Sequence, residues 1–151
     1  MTSDMTTEEN KALVRRYYEE VLNGGNVGLL QDIAAEEYDE HDPLPGQGNG
    51  VAGLRQRVEM LRDALRPQFT LEDIIAEGDR VVVRWINRGA LVGAFLGLPP
   101  SGKSFAIAGI DIHRVQNGRM SEHWHVVDQL AMLQQLGVLP QPQPQPSPTE
   151  V

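Results

Sequence analysis

Asp111, His113, His123 and His125 crowd the C-terminal third of the chain, bringing three of its four histidines close to one carboxylate. Imidazoles titrate near neutrality, and a neighbouring carboxylate orients and charges them, so this set of residue types suits proton transfer. Whether they share a surface depends on the hairpin that carries them. Segments 104–115 and 119–127 read as strands joined around Asn117-Gly118. A two-residue turn pairs Gln116 with Arg119 and sets Asp111 opposite Trp124, placing the histidines with Ile110 and Ile112. A three-residue loop over 116–118, with Gly118 left-handed, moves the pairing by one residue and reverses every side. Ile110, Ile112, Trp124 and Val126 then line one face, and Asp111, His113, Ser121, His123 and His125 the other. The second register separates polar from apolar and is preferred. Its polar face reads either as a solvated sheet surface or as the wall of a site.

Other candidates are scattered. His41, beside Asp42 in a Pro/Gly-rich segment, is a pocket residue or simply an exposed loop histidine. Tyr17 and Tyr18 lie on a helix, where they serve the core unless a phenol reaches a cavity. Trp85 and Asn87 share a strand face with Val81 and Val83, and a buried asparagine there needs partners that a substrate can supply. The chain has no cysteine, which excludes thiol nucleophiles, disulfides and thiolate metal sites. Two histidines two apart on a strand point the same way, but no zinc-type spacing completes a ligand set, so no metal is expected. Gly46, Gly48 and Gly50 do not lie between a strand and a helix, and no serine nucleophile elbow occurs. The expected chemistry is proton transfer without a cofactor.

The elements that position these groups follow from periodicity. Thr6 and Glu9 fit a capping box, and apolar residues at helical spacing predict a helix over 7–23, stopped by Asn23-Gly24-Gly25. A short helix is expected over 26–35, a loop over 38–50, and a third helix through Leu54, Val58, Leu61 and Leu65, ending before Pro67. Strands are expected over 69–77 and 80–89, then a loop over 96–102, the hairpin, and a last helix over 128–136. Helices followed by an antiparallel sheet predict an α+β domain over 7–140, with a flexible leader (1–6) and a disordered Pro/Gln-rich tail (141–151). Among 151 residues, 40% are hydrophobic, 13 basic and 21 acidic, giving a net charge of −8. That balance argues against nucleic-acid partners. With no long apolar run and no positively charged leader, a soluble, cytoplasmic protein without membrane association is expected.

Three ordered motifs carry a family resemblance: GAFLGLPPSGK from Gly93, GIDIHRVQNGR from Gly109 and EHWHVVD from Glu122. With the ending LQQLGVLP, the stretch from about Glu8 to Pro140 resembles the SnoaL-like polyketide cyclases of the nuclear-transport-factor-2-like superfamily. The resemblance implies a cone-shaped α+β barrel, its curved antiparallel sheet wrapped around about three N-terminal helices and enclosing a pocket. It also implies a homodimer joined through the outer sheet face, which would bury Ile110, Ile112, Trp124 and Val126. Characterised members close a ring by intramolecular aldol condensation without metal or cofactor, using a pocket aspartate as general acid/base. The matching position here is His125, while Asp111 matches a histidine on the neighbouring strand, so the acid and the imidazole have exchanged strands. The implied catalytic pair is Asp111 and His125, acting on an apolar, polyketide-like carbonyl compound, with Asp111 orienting the ring. Tyr17, His41, Trp85, Asn87, His113 and His123 are the expected pocket residues, with Tyr17, His123 or Asn87 as oxyanion donors. The direction of proton transfer stays open. The alternatives are an epoxide-opening hydrolase or cyclase of the same superfamily and a non-catalytic small-molecule-binding module.

Overall fold

Thr6 caps the first helix, α1 (Thr7–Arg16), its hydroxyl accepting the Glu9 N–H at 3.1 Å. The chain then widens into a π-helical stretch, Tyr17–Asn23, where Tyr17, Tyr18, Val21 and Leu22 are all buried. Such a stretch resets which side chains face inward, and here two consecutive tyrosines reach the interior. Its terminal carbonyls, on Leu22 and Asn23, accept hydrogen bonds from Arg62 at 2.7 and 2.9 Å. In the computed structural model, which describes residues 5–141, the expected helix over 7–23 is thus continuous but changes pitch midway.

The next segment departs from expectation. A 3-10 turn (Val27–Leu29) and a single turn of helix, α2 (Leu30–Ile33), give way to a strand, β1 (Ala34–Glu40), that takes over the end of the expected helix and the start of the expected loop. The sequence AAEEYDE holds no β-branched residue, so local preference does not announce a strand. What makes it one is tertiary: β1 lies parallel to the last strand of the sheet, with Glu40 beside His123. Helix α3 (Gly50–Leu65) follows, closed by a left-handed Arg66 and by Pro67.

Four strands complete the sheet: β2 (Gln68–Glu77), β3 (Arg80–Ala90), β4 (Ser104–Gln116) and β5 (Arg119–Val127), before a short helix α4 (Gln129–Gln135). Their order is β1-β5-β4-β3-β2, so the curved sheet is open, with β1 and β2 at its edges, and the fold is α+β. The helices pack on its inner face through Tyr18, Leu54, Val58, Val81, Val83 and Met120. Most of the expected leader and tail, residues 1–4 and 142–151, lies outside the described residues.

The β4–β5 hairpin corrects the expected loop. Asn117 and Gly118 both have positive φ, +52° and +74°, and Gln116 pairs with Arg119, so the turn has two residues. A bulge then intervenes: Val115 pairs with Met120 but Arg114 with Glu122, leaving Ser121 as the extra residue. That one-residue shift sets Asp111 opposite His125 and His113 opposite His123. The face assignment expected from a three-residue loop therefore arises by a different route. Ser121 does not join the inner face; its hydroxyl donates to the Arg114 carbonyl, while Met120 turns inward in its place. Ile110 and Val126 lie exposed on the outer face, and Ile112 and Trp124 are half-buried there.

Candidate active site

The inner face of β4 and β5 is buried, not solvated. Asp111, His113 and His123 are each at most 5% exposed, and His125 is half-buried. Asp111 occupies the centre. Its Oδ2 accepts the Tyr18 hydroxyl and, at 2.8 Å, the Trp85 indole N–H. Trp85 reaches it by lying across Gly109, where any side chain would collide with the indole. Behind them, His113 Nε2 is 2.6 Å from the Tyr18 oxygen. Because the Tyr18 proton goes to the carboxylate, His113 donates here from Nε2.

His123 bridges two carboxylates. Its Nδ1 meets both oxygens of Glu40 at 2.7 and 2.8 Å, and its Nε2 lies 3.2 Å from Asp111 Oδ1. Burial works against the charged ring, but Asp111 and Glu40 outweigh it and raise the His123 pKa to about 9. Burial likewise pushes the Asp111 carboxyl up, yet the His123 cation overrides it and holds Asp111 well below the usual carboxylate range. Glu40 is lowered in the same contest between burial and the His123 hydrogen bond. His113 shows the opposite outcome: burial, reinforced by the His123 charge, lowers its pKa to about 3, so it is neutral. Burial, followed by the charge of Asp111, pushes the Tyr18 phenol up, so it remains a proton donor.

His125 is not oriented by Asp111, whose Oδ1 is 3.8 Å from its Nδ1. Arg57 holds the ring instead, donating from Nη2 to Nδ1 at 2.9 Å. Arg57 also donates to the Asp42 carbonyl (3.0 Å) and Gln47 Oε1 (3.3 Å), and it sits 3.4 Å from Glu40. Burial, then the Arg57 and His123 charges, lower the His125 pKa and keep the ring neutral. An arginine can only donate, so Nδ1 is the lone-pair nitrogen and Nε2 carries the proton. Nε2 has no hydrogen bond among the described residues and is not occluded.

Part of this network opens onto a cavity of about 420 Å³. Tyr17, Trp85, Asn87, Asp111, His123 and His125 line it, together with apolar side chains that include Leu61, Leu65, Phe69, Ile107 and Met132. Asn87 Oδ1 accepts the Gln68 N–H at 3.1 Å, which turns its Nδ2 donors towards other partners. Two expected pocket residues lie elsewhere. His113 is sealed behind Tyr18, and His41 lies on the outer side, its ring stacked 4.5 Å from Trp124 and hydrogen-bonded to Glu122. Sequence reasoning missed Glu40, Asp42, Arg57 and the polar role of Tyr18. Arg57 had a signal, since it falls three residues after Leu54 and four before Leu61, on the apolar stripe of α3. Glu40 had none without β1.

Asp111, His113 and His123 could offer one ligand atom each to a cation, the atoms lying within 4.8 Å of one another. A metal would have to displace the His123 proton that already neutralises Asp111 and break the His113–Tyr18 contact. Asp39, His41 and Glu122 form a second such group on the surface. Among the described residues, no helix is long and apolar enough to cross a membrane.

Solved structures share this architecture. TsrD from Streptomyces laurentii is 28% identical, with 90% of this chain and all of that chain aligned at a TM-score of 0.82. IdmH from Streptomyces antibioticus, proposed to be a polyketide cyclase, is 28% identical over 85% of this chain and 98% of its own, at 0.73. AclR from Streptomyces galilaeus, proposed to be a hydroxylase, shares the fold at 23% identity, with 91% and 87% covered and a TM-score of 0.78. No curated protein matches the chain. The SnoaL-like polyketide cyclase profile matches residues 12–136, and with the buried acid–histidine cluster and its cavity in place, the chain belongs to that family.

Proposed function

We propose that this protein is a cofactor-independent cyclase or isomerase that acts on an apolar, polyketide-like carbonyl compound by acid–base catalysis, with Asp111 and His125 at its centre. The observation that carries this reading is the fixed tautomer of His125. With Nδ1 taken by Arg57, the ring offers Nε2–H to the cavity as a neutral donor, poised for a carbonyl oxygen that gains negative charge. Asp111 holds the His123 cation in the wall, so the developing oxyanion meets a donor backed by positive charge. The apolar remainder of the cavity suits a hydrocarbon skeleton, and Asn87 Nδ2 suits a second oxygen on it. The functional unit is a homodimer in which two outer faces cover Ile110, Ile112, Trp124 and Val126.

Ring closure of a linear aryl triketone, 1-phenylhexane-1,3,5-trione, read as absorbance of the phenolic product, tests the activity. The wild-type protein accelerates it, and His125→Ala abolishes the acceleration while keeping the wild-type circular dichroism. Full activity in His125→Ala sinks the assignment. Hydrolysis of styrene oxide with oxygen-18 taken up from labelled water, in place of triketone closure, favours the epoxide-opening alternative.

A further inference from the structure

The proposed reaction needs a base as well as a donor, and the central carboxylates are badly placed for that task. Both Glu40 oxygens are engaged, by His123 and by the Asp42 N–H. Asp111 Oδ2 accepts from Tyr18 and Trp85, while Oδ1 is occluded and faces the His123 cation. His125 Nε2 already carries its proton. Asp42 differs from all three. It lines the cavity, its Oδ2 accepts the His125 main-chain N–H at 2.8 Å, and its Oδ1 is unoccluded and has no hydrogen bond among the described residues.

Its position is held by the sheet. Past the end of β1, the His41 N–H still bonds the His123 carbonyl at 3.0 Å, continuing the parallel pairing by one residue. The next β5 donor, the His125 N–H, has no strand carbonyl to meet, and the Asp42 carboxylate substitutes for one. Arg57 then ties the Asp42 carbonyl to the same guanidinium that orients His125. A carboxylate and an imidazole N–H thereby both belong to the cavity wall, held by the same guanidinium and by the edge of β5, the two functions that enolisation requires.

We infer that Asp42 is the catalytic base of this site, removing a proton from carbon next to a substrate carbonyl whose oxygen is held by His125; the assignment rests on the cyclase reading above. Asp42 Oδ1 takes the proton, the C–H pair becomes the enolate C=C bond, and the carbonyl π pair moves onto oxygen against Nε2–H. The enolate carbon attacks a second carbonyl of the same molecule, forming the C–C bond. The new alkoxide takes the proton back from Asp42, which returns to the carboxylate.

The test uses 2-tetralone, a bicyclic ketone with exchangeable protons beside its carbonyl, in D2O with the full-length protein. Wild type accelerates deuterium uptake, followed by proton NMR. Asp42→Asn keeps an oxygen for the His125 N–H but cannot act as a base. It lowers the enzymatic exchange rate by about 10²–10⁴-fold. Binding of 2-naphthol, an analogue of the enol, stays within about threefold in that variant by fluorescence titration, which shows the cavity intact. Wild-type exchange in Asp42→Asn overturns the assignment and leaves the cyclase reading standing. Loss of naphthol binding in step with loss of exchange also overturns it, because Asp42 then only builds the wall. If wild type itself accelerates no exchange, enolisation at this site fails and the assignment falls with it.

Discussion

Folding stability should peak near pH 6.5 and fall on both sides, because two neighbouring histidines are shifted in opposite directions. His123 is raised from 6.5 to about 9 by Asp111 and Glu40, against its burial. A raised pKa means the folded state holds the proton more tightly than the unfolded chain. The stabilisation is therefore complete below pH 6.5 and lost as pH climbs to 9. About 2.5 units at about 1.4 kcal/mol each amounts to roughly 3 kcal/mol. The depressed Asp111 and Glu40 reflect the same attraction and are counted once. His113, lowered to about 3, is kept neutral by burial, so the unfolded chain gains a proton that the folded one refuses. Roughly 5 kcal/mol is lost between pH 6.5 and 3 on that account. Neutral burial of His125 adds to this acid limb, as does protonation of Glu40 and Asp111 at lower pH.

Either limb is large against the 5–15 kcal/mol that holds a typical domain. Urea unfolding followed by circular dichroism at half-unit pH steps from 5 to 9.5 measures both. On the alkaline side the slope should approach about 1.4 kcal/mol per pH unit. His123→Gln keeps a polar group between the carboxylates but cannot titrate, so its alkaline limb should flatten. Nitrogen-15 spectra of the wild-type imidazoles give an independent check, since His123 should remain doubly protonated at pH 8. A neutral His123 at pH 7.5, or an unchanged alkaline limb in His123→Gln, refutes the reasoning.

Four further outcomes are expected. Gly109→Ala presses a methyl into the Trp85 indole and should cost about 1–3 kcal/mol in urea unfolding while weakening the Trp85–Asp111 hydrogen bond. Arg57→Met frees His125 Nδ1, so nitrogen-15 spectra should show both neutral tautomers of His125 and kcat should fall, while Glu40 loses a partner and stability in urea drops by about 3–5 kcal/mol. Asn87→Asp keeps the acceptor for the Gln68 N–H but loses the donors facing the cavity. It should raise KM by about 3–10-fold with little change in kcat. Val126→Asp places a charge on the outer face, where Val126 is 76% exposed, and breaks the proposed homodimer, so sedimentation should find dimeric wild type and a monomeric variant.

Most of the fold could be read from the chain because its strongest signals are local. β2 to β5 lie within a residue or two of where alternation and turn residues put them, and the helix ends follow Thr6, Asn23-Gly24 and Pro67. The inward side of Asp111, His123 and His125 was also legible, since burying Ile110 and Trp124 with them would mix polar and apolar residues. The bulge at Ser121 was not, because a two-residue turn plus one extra residue and a three-residue loop put the side chains beyond the bulge, from Glu122 onward, on the same faces. β1 escaped for a different reason: AAEEYDE pairs along only one edge, and nothing in its composition marks it. Missing β1 hid Glu40, and with it the charge on His123. The loss carried forward to Asp42, whose placement depends on where β1 stops.

That dependence explains how two neighbouring strands, each with two inward polar residues, stay folded. Buried charges are tolerated only when paired, and this cluster pairs Asp111 and Glu40 with His123 and Arg57, so its formal charge is zero. One charge comes from each of β4, β1, β5 and α3, so no single element can leave without stranding a partner. The two remaining histidines are neutral, one sealed and one facing the cavity. The proposed chemistry uses two atoms the network leaves unbonded, Nε2 of His125 and Oδ1 of Asp42, both on side chains that Arg57 or the edge of β5 holds still. With no acid at position 125, the proposed proton transfer needs another carboxylate beside the carbon that loses its proton. In the proposed mechanism the loop after β1 supplies it as Asp42, anchored to the main-chain N–H of His125.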